Sequence, residues 1–138
     1  MAGKALKRFL PVLLLLFACS LAVSAAEIPC VWQGVERIVA VGDVHGDYEN
    51  FLPLLREAGL VNEDLQWVGG KAHLVLIGDI LDRGTRAKDV LDLLMRLEKE
   101  AEADGGVVHV LLGNHEELNI TGRALDYPDY VTAEQFVS

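Results

Sequence analysis

The chain has 138 residues, of which 51% are hydrophobic and 24% charged, and a formal charge of −9. That length builds one core and excludes multidomain architectures, while the composition excludes disordered, collagen-like and disulfide-scaffold classes. The charge is uneven: the first 26 residues hold Lys4, Lys7 and Arg8 and no acid, so the remainder carries 9 basic and 21 acidic residues, a net −12 that repels nucleic acid and anionic lipid.

A basic start through Arg8, an apolar run from Phe9 to Val23 and the small residues Ser24, Ala25 and Ala26 before Glu27 have the layout of a secretory signal peptide over residues 1–26. The run falls short of the ~20 residues that cross a bilayer comfortably, so an export signal is expected over a retained anchor, and with it a periplasmic or secreted protein. Leu16-Phe17-Ala18-Cys19 resembles a bacterial lipoprotein box, and lipidation at Cys19 is the alternative that would tether the protein to a membrane. Outside this segment the only cysteine is Cys30, which leaves no internal disulfide.

From residue 27 onward a cycle recurs. Glu36 to Val41, Ala72 to Ile77 and Val107 to Leu112 are short, rich in β-branched residues and almost uncharged, the pattern of strands buried on both faces of a parallel sheet. Between the first two, Phe51, Leu54, Leu55 and Ala58 keep helical spacing, with Asn50 before the start, Pro53 in the first turn and Gly59 as a stop. Between the second and third, Ala87, Val90, Leu91, Leu94 and Leu97 form one apolar stripe, and Gly105-Gly106 punctuate the return. The order β-α-β-α-β predicts an α/β sheet built from two right-handed crossovers that share the central strand. Ligands of such sheets bind outside the carboxyl ends of the strands.

Each strand runs into Gly and then a polar cluster at that edge. The first is Gly42-Asp43-Val44-His45-Gly46-Asp47. Asp43 and His45, two apart in an extended segment, point the same way and can grip one ion. The second is Gly78-Asp79-Ile80-Leu81-Asp82-Arg83-Gly84, where Asp79 is able to bind metal and Arg83 to clamp a phosphate. The third, Gly113-Asn114-His115-Glu116, offers a neutral oxygen ligand in Asn114 and a proton carrier in His115. Taken singly, each cluster also suits an ordinary turn or helix cap, with Asp82 as a cap in the second. Three caps at three successive strand ends, each holding residues that a two-metal hydrolytic site needs, are a far weaker explanation.

In that order, GDVHG, GDILDRG and GNHE resemble the signature of the calcineurin-like metallophosphoesterases, in particular the branch shared with protein serine/threonine phosphatases. Leu65 to Gly84 and Tyr130 to Phe136 are similar to the bacterial, Shewanella-like phosphatases. The resemblance implies hydrolysis of phosphate monoesters, from a phosphopeptide or a small molecule, by a hydroxide that two divalent metal ions activate. It further implies that Asp43 and His45 bind the first metal, that Asp79 bridges both and that Asn114 binds the second. His115 would be the general acid held by Asp82, Arg83 and Asn114 would contact the phosphoryl oxygens, and Glu116 would orient the site. Paired ions about 3.5–4 Å apart suit in-line phosphoryl transfer, and this oxygen and nitrogen ligand set is compatible with Mn, Fe, Zn or Mg.

The same family takes further histidines for the second metal from the other half of an αββα sandwich. His73 and His109 lie inside predicted strands and are read as structural. The expectation is therefore an N-terminal half domain over 27–138, a truncated fragment of an exported enzyme with one well-furnished metal position and part of another. A non-catalytic phosphate- or metal-binding module is the alternative from another class, and a nucleotidase or dinucleotide polyphosphate hydrolase is the alternative within the superfamily.

Overall fold

The structure is a computed structural model that describes residues 29–127. The export segment expected over 1–26, with Cys19, and the tail Tyr130 to Phe136 lie outside the described residues. The chain divides after Gln33, and the elements below all belong to the unit Gly34–Ser138.

β1 spans Ile38–Val41, α1 Tyr48–Glu57, β2 His73–Leu76, α2 Ala87–Ala103, β3 Val107–Val110 and α3 Asn114–Ile120, with a 3₁₀ turn at Arg123–Asp126. The strands form one parallel sheet in the order β1-β2-β3, in which Ile38 faces His73 and His73 faces Val107. The α/β class and the β-α-β-α-β order are thus as expected, although each strand is shorter than its apolar run. One more ladder bond follows each pairing, Ile77 N–H to the Val41 carbonyl at 3.1 Å and Leu111 N–H to Leu76 at 2.9 Å, before the chain peels away into the loops.

α1 begins earlier than its apolar spacing suggests. Asp47 caps it, one carboxylate oxygen accepting from Asn50 N–H at 3.3 Å and the other from the Asn50 side-chain amide at 2.7 Å. Pro53 therefore lies beyond the first turn, where its missing N–H and its ring cost about 3 kcal/mol. Burial of Phe51 and Leu55, at 3% and 0% exposure, offsets this at about 1.5–3 kcal/mol per side chain. In α2 the buried stripe is Val90, Leu93, Leu94, Leu97 and Ala101. Leu93 takes the place expected for Leu91, which packs at the margin of the core.

The strand order advances in one direction, so two right-handed crossovers drop both helices onto the same face of the sheet. Val41, Leu74, Leu76 and Val108 meet Leu55, Val90, Leu94 and Leu97 there in one core. The strands are consequently not covered evenly on both faces, as their composition suggests: on the second face Ile38 and Ile77 are 63% and 55% exposed, while His73 between them is 7% exposed. His73 and His109 sit on this face, the Nδ1 of the first 3.0 Å from the Nε2 of the second. Burial, and to a lesser degree a charge on His73, push His109 below the ordinary histidine range.

Candidate active site

The loops after β1 and β2 are stitched together by their backbones. Val44 and His45 N–H both donate to the Asp79 carbonyl, at 3.0 and 2.9 Å, Gly46 N–H donates to Ile80 at 2.8 Å, and Gly84 N–H donates to the His45 carbonyl at 2.8 Å. At Gly84 the approach is so close that a Cβ would collide with that carbonyl. Four non-glycine residues here have left-handed backbones: His45 at φ 47°, Asp79 at 54°, Asp82 at 67° and Arg83 at 65°. Each such residue costs on the order of 1 kcal/mol. The cross-loop bonds hold the strain, and with it the directions of these side chains.

Those directions converge. His45, Asp79 and His115 each offer a donor atom, and the three atoms lie within 4.8 Å of one another. The His45 Nδ1 is 2.8 Å from the Leu81 carbonyl, which can only accept, so Nδ1 carries the proton and Nε2 keeps its lone pair. That Nε2 is buried without a hydrogen-bond partner, 3.6 Å from Asp43 Oδ2. The His45 and His115 rings meet edge to face with centroids 4.6 Å apart. One oxygen of Asp79 accepts from His115 N–H at 3.1 Å, and a Cβ at Gly113 would collide with the same oxygen. An orphaned imidazole nitrogen, an adjacent carboxylate and a cradle only glycine leaves open fit a divalent cation. His45, Asp79 and Asp43 would hold it.

Asp43 and Asn114 lie at the same edge but outside the group of three. Asp43 is exposed beside His45, and Asn114 is exposed at the first position of α3. The expected acid, His115, is 1% exposed, and its Nδ1 lies 2.8 Å from an oxygen of Asp82, itself 4% exposed. Asp82 caps no helix, since α2 begins at Ala87. The structure thus brings Asp82 and His115 together across 33 residues of sequence. Arg83 Nη2 lies 3.5 Å from His115 Nε2, and Arg83 is exposed.

Glu116 joins the loops after β2 and β3. Its Oε1 accepts from Ile80 and Leu81 N–H at 2.9 and 3.0 Å, and its Oε2 from Asp79 and Gly113 N–H at 2.7 and 2.8 Å. Burial alone would raise its pKa, but the four N–H groups, Leu81 foremost, outweigh burial and hold the carboxyl below the ordinary range. Asn119 was not among the residues singled out from the sequence. Its side-chain amide reaches the Asp82 carboxylate at 3.0 and 3.2 Å and the His115 carbonyl at 2.9 Å. The only local signal for it is its position four residues after His115, which places both on one helix face.

The sequence and fold are similar to those of known proteins. The calcineurin-like phosphoesterase family matches residues 36–136. Shewanella-like protein phosphatase 2 of Arabidopsis thaliana is 44% identical over 87 residues, which are 63% of this chain and 22% of that protein. Shewanella-like protein phosphatase 1 of Plasmodium berghei is 38% identical over 104 residues, 75% of this chain and 27% of that protein. Among solved structures, the cold-active protein-tyrosine phosphatase of a psychrophilic Shewanella superposes with a TM-score of 0.71 at 37% identity, over 77% of this chain and 31% of that one. The chain spans about a quarter of the length of these relatives. Since residues 36–136 contain all three strand-end loops and the converging side chains they carry, the chain belongs to the calcineurin-like phosphoesterase family.

Proposed function

We propose that this chain carries active-site residues of a metal-dependent phosphomonoesterase acting on phosphorylated proteins. The observation that carries the reading is the convergence of His45, Asp79 and His115 at the carboxyl edge of the sheet, with the lone pair of a buried His45 Nε2 left without a hydrogen-bond partner. Divalent metal ions held there would supply a nucleophile at neutral pH and neutralise charge on the phosphoryl group. Asp43, His45 and Asp79 would hold metal, and Asn114 would offer a further oxygen ligand at the same edge. Two of these four ligands, Asp43 and Asn114, are exposed.

The chain's own residues then orient and protonate. Asp82 accepts from His115 Nδ1 and steadies the imidazolium, which gives its Nε2 proton to the leaving oxygen. Arg83, beside that nitrogen, pairs with phosphoryl oxygens and keeps the leaving oxygen within reach. The names of the relatives support phosphoproteins as the substrate class, and the layout of residues 1–26 supports an exported enzyme.

Asp79→Asn in the intact protein tests the reading. It is expected to abolish hydrolysis of p-nitrophenyl phosphate and metal loading together, because Asp79 is the carboxylate in the cluster with His45 and His115 that would hold the metal. Two ions retained with near-normal turnover would overturn it, and an intact wild-type protein that binds metal without turnover would favour a non-catalytic binding module.

A further inference from the structure

We propose that Asn119 is a positioning residue for proton transfer: it locks the plane of the Asp82 carboxylate so that His115 Nδ1 stays bonded and Nε2 keeps facing the reacting phosphate. The inference rests on the phosphomonoesterase reading above. Asp82 and His115 are 4% and 1% exposed, so water does not steady the carboxylate. Its neighbours do. His115 Nδ1 lies 2.8 Å from Oδ2, and the Asn119 amide nitrogen lies 3.0 Å from Oδ2 and 3.2 Å from Oδ1.

The orientation of the amide follows from chemistry. The same nitrogen is 2.9 Å from the His115 carbonyl, so it faces three acceptors, whereas the flipped side chain would set its own oxygen against all three. By spanning both carboxylate oxygens, Asn119 opposes rotation of Asp82, which is held in a left-handed backbone at φ 67° and linked to α3 through this pair of side chains. The bond back to the His115 carbonyl fastens the amide to the same turn of helix that carries the imidazole. A carboxylate left to rotate would lose the His115 bond, and the ring would turn with it.

The test uses Asn119→Leu, which keeps the volume and removes the amide, in the intact zinc-loaded protein. Loss of a partner that orients a functional side chain typically lowers activity by about 10–100-fold. A fall of that size in kcat is expected with KM and metal content close to wild type, and a larger fall for an alkyl phosphate than for p-nitrophenyl phosphate. In an Asp82→Asn background the same substitution is expected to cost nothing further, whereas a merely structural role would subtract equally in both backgrounds and would overturn the proposal.

A second readout does not depend on turnover. The His115 Nδ1 proton, assigned by its absence in His115→Asn, is expected as a sharp downfield resonance that broadens or shifts in Asn119→Leu. An unchanged resonance would overturn the positioning role even if wild-type protein hydrolysed no phosphomonoester, an outcome that would sink the functional reading alone. Should Asn119→Leu fail to fold, Asn119→Ser is read in the same two ways.

Discussion

Replacing Glu116 by Gln probes the joint that holds two of the three loops. Each oxygen of the carboxylate takes a pair of backbone N–H groups, Ile80 and Leu81 on one side, Asp79 and Gly113 on the other. A glutamine amide keeps one oxygen and turns an NH₂ toward the other pair, so whichever way it lies two bonds to a charged acceptor are lost. At about 1.5–3 kcal/mol each, the loss is about 3–6 kcal/mol, a large part of the ~5–15 kcal/mol that holds a typical domain. With urea slopes of about 1–3 kcal/mol/M, the unfolding midpoint of the metal-free intact protein should fall by at least about 1 M. Amide exchange gives the signature: either Ile80 and Leu81 or Asp79 and Gly113 lose protection first. The acid dependence follows from the depressed pKa. The carboxylate's contribution is fully present above its ordinary value of 4.5 and is lost as the pH falls through the lower folded value, so wild type and variant should converge in strong acid. An unchanged urea midpoint with unchanged slope, or protection lost evenly across the sheet, would refute the reasoning.

His115→Asn should lower turnover by about 10²–10⁴-fold while leaving metal content near wild type. The loss should shrink with good leaving groups, and equal losses for p-nitrophenyl phosphate and an alkyl phosphate would argue against a proton donor. Residues 27–138 expressed alone should be aggregation-prone, with weak single-ion binding and no phosphatase activity, because Ile38, Ile77, Leu111 and Leu112 are 50–70% exposed. A soluble, cooperatively folding segment that binds two ions in calorimetry and hydrolyses phosphomonoesters would overturn this expectation.

The repeating strand and helix order was legible in the sequence because periodicity is a local property: AHLVLI and VVHVLL read as strands, and Val90, Leu94 and Leu97 as one helical face, whatever surrounds them. The placing of Asp43, Asp79 and Asn114 at one sheet edge was also legible, since parallel strands joined by crossovers end on the same side. Tertiary structure alone decided the rest. That both helices share one face, leaving Ile38 and Ile77 open, depends on strand order, which no strand encodes by itself. Glu116 and Asn119 act on partners 36 and 37 residues away in the chain. Such carboxylate and amide contacts are set by where two loops meet, and the short polar segments that carry them look like ordinary caps until the sheet has formed and buried them.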